Sequence, residues 1–191
     1  MTVSVGSVVR VGLLLLVAVV TQISGFSGLR IFGGVFDLIP LVVAAIALYG
    51  GSVTGAAVGF ALGLLADLAL GHNLGASSLV LTAVGYGVGR FGELRDPAHG
   101  LIAIPVGGAA TFGYVVAFGL VNFMLEIDAS ISALVLRDAL VTVVLNAWLA
   151  LPVFGIVKRV LRPVLASEPG HRRRPAETRP TGPLGLRGLE V

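Results

Sequence analysis

The chain has 191 residues, of which 56% are hydrophobic and only 12% are charged. Soluble domains carry about 25% charged residues, so this composition indicates an integral membrane protein. The absence of cysteine excludes disulfides, zinc–thiolate sites and cysteine nucleophiles, and the net charge of +3 comes largely from the C-terminal tail, so it gives no argument for nucleic-acid binding.

Six segments are apolar enough to be membrane-spanning helices, which need about 20 apolar residues each. The first resembles a signal peptide, but the apolar segments that follow it favour an uncleaved span. Every connection is short, and no soluble domain is inserted between the spans. The predicted spans are residues 7–24, 32–50, 51–71, 74–89, 100–124 and 136–157.

The second and third spans form a tight hairpin, and the third carries glycine at every fourth position. This spacing removes side chains from one ridge of the helix, so that two helix backbones can approach closely. The fourth span repeats it at Gly85 and Gly89. Packing within the chain is favoured over an interface between chains, and we expect the third helix to lie at the centre of the bundle. The ridge consists of Gly51, Gly55, Gly59 and Gly63.

Two carboxylates stand near the same ends of the second and third spans. Asp37 lies about five residues after the predicted start of its span, and Asp67 lies four residues before the end of the next. At about 1.5 Å per residue, these positions place both side chains at one depth on adjacent helices. They could bind a cation or a proton, hold an arginine (Arg30 or Arg137) or backbone amides, or contact a partner chain.

Two asparagines are further candidates for structural or partner contacts. Asn73 follows Asp67 at the predicted outer turn. Asn146 lies in the sixth span, where an asparagine usually forms a hydrogen bond with a neighbouring helix.

Basic residues predict the orientation. With six spans, Arg10, Arg90, Arg95 and Lys158-Arg159 share one side, so the positive-inside rule places both termini in the cytoplasm. Residues 1–162 form the predicted membrane domain. Residues 163–191 are rich in proline and arginine, and we expect a disordered basic tail that is attracted to anionic lipid.

No catalytic motif is present. The sequence has no nucleotide-binding loop, no HExxH, no GxSxG and no nucleophile beside a base. Its three histidines have no metal-binding spacing. We therefore predict no catalytic site, cofactor site or metal site, and a non-enzymatic protein.

The stretch from Asp37 to Gly89 resembles the MreD family of rod shape-determining proteins. The segments that carry the resemblance are FDLIPLVVAAIALYGG, GAAVGFALGLLADLALG and NLGASSLVLTAVGYGVG. The most specific part is GF-x-x-GLL-x-DL, which begins at Gly59 and ends at Leu68. Family members often place proline just before the polar residue that opens the second span. Here Phe36 precedes Asp37, and the nearest proline is Pro40.

The resemblance implies an all-α integral membrane fold of six transmembrane helices, like the substrate-binding subunits of energy-coupling-factor transporters. It also implies a scaffold in the bacterial cytoplasmic membrane, within the complex that elongates the cell wall. Its partner would be an MreC-type protein and, indirectly, the MreB filament, the glycan polymerase and the transpeptidase, with no cofactor and no nucleic acid.

The alternative is the substrate-binding membrane subunit of an energy-coupling-factor-type small-molecule transporter. Asp37, Asp67 and Asn73 would then form an outward-facing ligand pocket. Such a pocket requires converging polar and aromatic residues. The outer half of the predicted spans is mostly Leu, Val, Ala and Gly, which favours the scaffold.

Overall fold

The computed structural model describes residues 5–26, 30–71, 74–94, 102–124 and 133–165. Helices make up most of this part of the chain, together with one short β-hairpin. In chain order the elements are α1 (Val5–Thr21), a turn of π-helix (Gln22–Phe26), β1 (Arg30–Ile31), β2 (Gly34–Val35), α2 (Leu38–Leu70), α3 (Ala76–Leu94), α4 (Ala103–Met124) and α5 (Ala133–Leu165).

Helix α2 is broken at Gly51 into two segments, α2a (residues 38–50) and α2b (residues 52–70). Gly51 has φ 84° and ψ 177°, a conformation that favours glycine. A Cβ atom on Gly55 would collide with the side chain of Ala47. In a straight helix these two residues would be about 12 Å apart along the axis. The chain therefore reverses direction at Gly51, where the sequence predicted the hairpin.

The centre of the bundle is α2a, and the prediction that the glycine-bearing third helix occupies it is wrong. Every residue from Leu38 to Leu48 is buried, whereas α2b exposes large side chains such as Phe60 and Leu68. Both segments are almost entirely apolar. Because lipid and protein interior are similarly apolar, hydrophobicity alone does not distinguish a central helix from a lipid-facing one.

The predicted second span, residues 32–50, is wrong at its beginning. Strands β1 and β2 pair antiparallel around Phe32 and Gly33, which have φ values of 53° and 91°. Positive φ at both central residues is what a type I′ hairpin turn requires. The helix begins only at Leu38, and Asp37 is its N-cap, not a residue inside it. Segment α2a is therefore about 20 Å long, shorter than the hydrocarbon core of a bilayer.

Among the described residues, three helical ranges are long and apolar enough, by length and composition, to cross a membrane: Leu38–Leu70, which the reversal at Gly51 divides, Ala103–Met124 and Leu134–Leu161. The last lies within α5, which extends beyond the predicted span 136–157 at both ends. Asn73 and the tail from residue 166 onward lie outside the described residues.

Candidate functional site

Helices α2b and α3 are in contact backbone to backbone along the glycine ridge. A Cβ atom on Gly55 would meet the Gly85 carbonyl, one on Gly59 the Leu81 carbonyl, and one on Gly63 the Ser78 backbone. At the Gly51 end, a Cβ atom on Gly89 would meet the backbone of Gly51 and Ser52. All four ridge glycines thus face α3, within the chain.

Asp67 belongs to α2b, and its side chain reaches the start of α3. Its Oδ2 atom accepts a hydrogen bond from the backbone amide of Gly75 at 2.8 Å. The Gly75 carbonyl accepts the hydrogen bond from Leu79 that opens the helix, at 3.0 Å. The carboxylate is 1% exposed and stands at the positive end of the α3 dipole, which stabilises a negative charge. Asp67 therefore acts as a cap for the following helix.

Glu93 makes the matching contact at the other end of the same helix pair. Its Oε1 atom accepts hydrogen bonds from the backbone amide of Ser52 at 2.8 Å and from the Ser52 hydroxyl at 2.7 Å. These bonds, together with Arg90 at 3.1 Å, lower the pKa of the Glu93 carboxyl from its ordinary value. Segment α2b and helix α3 are antiparallel, and each begins at a carboxylate that the other supplies.

The non-helical entry into α2a, residues 35–38, is held by side chains from distant parts of the chain. The Gln22 amide group donates to the Phe36 carbonyl at 3.0 Å and accepts from the Leu38 amide at 2.9 Å. Irregular backbone at membrane depth is tolerated where its polar groups find partners inside the protein. Two side chains of α5 complete the set: Thr142 accepts from the Val35 amide and Asn146 from the Asp37 amide, both at 3.1 Å.

Asp37 and Asp67 both lie within electrostatic range of Tyr114 of α4. Asp37 caps α2a through a hydrogen bond from the Ile39 amide to its Oδ1 atom, at 3.1 Å. The buried Tyr114 hydroxyl neighbours Ser77 and interacts electrostatically with both carboxylates.

Neither predicted arginine pairs with these carboxylates. Arg30 and Arg137 are exposed, and across the described residues the one ion pair joins Arg90 to Glu93. In the same part of the chain, no group of three or more His, Asp or Glu residues could hold a metal ion.

Four residues that make these contacts were not predicted from the sequence: Gln22, Glu93, Tyr114 and Thr142. The sequence does indicate a buried polar contact at Gln22, because this residue is a long polar side chain inside an apolar segment. Glu93 lies beyond the predicted end of the fourth span at residue 89, where the sequence pattern gives no indication of a helix cap. Tyr114 and Thr142 had no signal in the local sequence pattern.

A groove of about 570 Å³ lies between α3 and α4, and all the side chains that line it are apolar. Four of the lining residues are glycine or alanine, and no lining side chain offers a charge or a hydrogen bond to a ligand. The residues that line it are Val84, Gly87, Val88, Phe91, Ile102, Pro105, Val106, Ala109, Ala110 and Gly113.

A family model for the rod shape-determining protein MreD matches residues 4–160. The chain belongs to the MreD family. The matched range contains every contact described above, from Gln22 to Asn146. Membership of the MreD family gives the chain a role in rod shape determination, and its long apolar helices make it a membrane protein. No curated protein and no solved structure matches the chain.

In this MreD family member the polar side chains described above form hydrogen bonds with backbone groups. Asp37, Asp67 and Glu93 accept amide hydrogen bonds at helix starts, and Gln22, Thr142 and Asn146 bond the entry to α2a. The arrangement can fix the mutual position of helices.

Proposed function

We propose that the chain is a non-enzymatic membrane scaffold of the complex that elongates the bacterial cell wall. It would bind an MreC-type protein and, through it, work with the MreB filament, the glycan polymerase and the transpeptidase. The observation that carries this proposal is the family match over residues 4–160.

The use of the polar side chains supports a scaffold. In the described residues, the carboxylates of Asp37, Asp67 and Glu93 are each engaged in capping a helix. The side chains that line the open groove between α3 and α4 are all apolar. A rigid bundle with apolar outer faces suits the binding of a partner's membrane segment, because helices associate in lipid through shape and close packing.

We further propose six membrane crossings, by α1, α2a, α2b, α3, α4 and α5, as in the substrate-binding subunits of energy-coupling-factor transporters. The reversal at Gly51 supports this count, because it divides α2 into two antiparallel segments. The membrane domain would comprise residues 1–162, followed by the basic tail 163–191.

Both termini would be cytoplasmic, in the cytoplasmic membrane. Two contacts support a common side for the basic residues. The Lys158 ammonium lies 5.6 Å from the centre of the Tyr49 ring, beside the reversal at Gly51. Arg90 pairs with Glu93, which holds Ser52 at the same reversal. Basic residues gathered at one end of a bundle are typical of the cytoplasmic side.

The test is co-purification with the MreC-type protein of the same genome, in detergent and in lipid nanodiscs. We expect a stable complex. Failure to recover one under any of these conditions would contradict the proposal, and a ligand-induced rise in melting temperature during a small-molecule screen would then favour the transport subunit.

Two matched variants locate the contact surface in the same experiment. Gly87 lies in the α3–α4 groove and Gly155 on the outer face of α5, and a Cβ atom at either position would meet no atom within 4 Å. Gly87→Leu and Gly155→Leu should therefore leave folding intact. Loss of the complex in only one of them identifies the face that binds the partner.

A further inference from the structure

Three buried polar atoms at the start of α3 are left without a hydrogen bond in the described part of the chain. They are Oδ1 of Asp67 and the hydroxyl oxygens of Ser77 and Ser78, whose residues are 1%, 0% and 1% exposed. Buried polar atoms are nearly always paired with protein or with ordered water. A carboxylate oxygen is the costliest of these atoms to leave unpaired.

The three atoms belong to one place in the fold. Asp67 Oδ2 accepts from the Gly75 amide, so the carboxylate lies over the first turn of α3, which contains Ser77 and Ser78. Gly63, one turn before Asp67, packs against the Ser78 backbone. Tyr114 approaches the same place from α4, and its hydroxyl is near enough to interact with that of Ser77, although the geometry is not that of a hydrogen bond. We call these four residues the Asp67 cluster: Asp67, Ser77, Ser78 and Tyr114.

The chemistry of the Asp67 cluster selects a small neutral ligand. Asp67 Oδ1 needs a donor, and hydroxyl groups both donate and accept. The positive end of the α3 dipole disfavours a cation, and the Asp67 charge disfavours an anion. Water donates two hydrogen bonds and accepts two, and a buried water typically has about three polar partners.

We propose that the Asp67 cluster is an internal hydration site. One ordered water donates to Asp67 Oδ1 and bonds the hydroxyl groups of Ser78, Ser77 and Tyr114. This water completes the cap of α3 and allows the carboxylate to remain buried without an arginine.

X-ray radiolytic labelling in nanodiscs tests the proposal, because radicals formed from a bound water oxidise the side chain beside it. Tyr114 should be oxidised despite its burial, and Phe154, which is 2% exposed in an apolar part of the core, should not be. The variant Ser78→Ala should reduce Tyr114 oxidation several-fold. Oxidation of Tyr114 no greater than that of Phe154, or unchanged in Ser78→Ala, would overturn the proposal.

The melting temperature of Ser78→Ala gives a second test, which depends on whether the substitution lowers or raises that temperature. If the Ser78 hydroxyl bonds a water, its removal lowers the melting temperature by about 2–4 °C. If the hydroxyl has no partner at all, removing a buried unpaired group leaves the melting temperature unchanged or raises it, and the proposal fails.

The identity of the ligand is tested with the wild-type protein, by exchanging sodium, potassium and choline chloride at equal ionic strength. A water site predicts the same melting temperature in all three salts. A rise specific to sodium or potassium would assign the cluster to a cation and overturn the proposal.

Discussion

The two segments of α2 are fixed in the bundle by opposite means. Segment α2b contacts α3 through glycines, which have no side chain. Gly59 lies against the Leu81 carbonyl, and Gly63 lies against the Ser78 backbone. The entry to α2a is instead held by the side-chain amide groups of Gln22 and Asn146, which form hydrogen bonds with its backbone amides and carbonyl.

The two arrangements should therefore fail under different changes. Backbone contact between helices tolerates no added volume, because neither main chain can move aside as a flexible side chain would. A backbone held by side-chain hydrogen bonds is sensitive to the loss of a polar atom, because lipid offers no substitute partner. Substitutions that add volume or remove one hydrogen-bonding group distinguish the two regions.

The largest effect is expected at the centre of the glycine contact. In Gly59→Leu the new Cβ atom would collide with the Leu81 carbonyl, so α2b and α3 must separate. We expect a loss of stability of about 3 kcal/mol or more and a sharply reduced yield of folded protein. Size-exclusion chromatography and the melting temperature in detergent measure both.

Gly119→Leu is the matched control, because a Cβ atom at Gly119 would meet nothing within 4 Å. It should purify like the wild type. A wild-type yield and melting temperature for Gly59→Leu would show that the two backbones are not in contact there.

Loss of the Gln22 amide should have the next largest effect. Gln22→Leu keeps most of the side-chain volume but leaves the Phe36 carbonyl and the Leu38 amide without this partner. The expected cost is about 1–3 kcal/mol, as for other buried polar groups that lose their partner. The melting temperature measures it, with Thr21→Leu, an exposed neighbour, as the control. Equal melting temperatures for the two variants would contradict the role of Gln22.

The sequence predicted the glycine contact better than the entry to α2a, and the reason lies in the distance along the chain. Glycine spacing is a local pattern, visible in α2b and α3 separately. The bonds from Val35 to Thr142 and from Asp37 to Asn146 join residues 107 and 109 positions apart. No local periodicity reports such a contact. The contact of Asp67 was predicted only in part: its place inside an apolar span indicated a polar partner but did not identify the Gly75 amide.

A smaller effect is expected at the Asp67 cap. Asp67→Asn keeps an oxygen that accepts from Gly75 but removes the charge at the start of α3, which is worth about 0.3–1 kcal/mol. Asp67→Leu removes the acceptor as well and should cost about 0.5–2 kcal/mol, as the loss of other helix caps does. The two melting temperatures should therefore fall in that order.

Co-purification of the MreC-type protein with both Asp67 variants separates the cap from a partner contact. If Asp67→Asn is normal in both stability and association, the anchoring role of Asp67 is wrong. Loss of association with normal stability would place Asp67 near the partner instead.

The smallest effect is expected at Glu93, and it should depend on pH. Hydrogen bonds from Ser52 lower the pKa of Glu93 below its ordinary value of 4.5. A carboxyl whose pKa is lower in the folded state stabilises the fold fully above the ordinary pKa and loses that contribution as the pH falls through the folded pKa. Glu93→Gln retains an oxygen for Ser52 but cannot ionise. The wild type should therefore melt above Glu93→Gln at about pH 7, and the difference should shrink as the pH falls below the ordinary pKa of 4.5. A difference that stays constant over this range would mean that the charge of Glu93 contributes nothing to the cap of α2b, and that the two ends of the helix pair are held by different interactions.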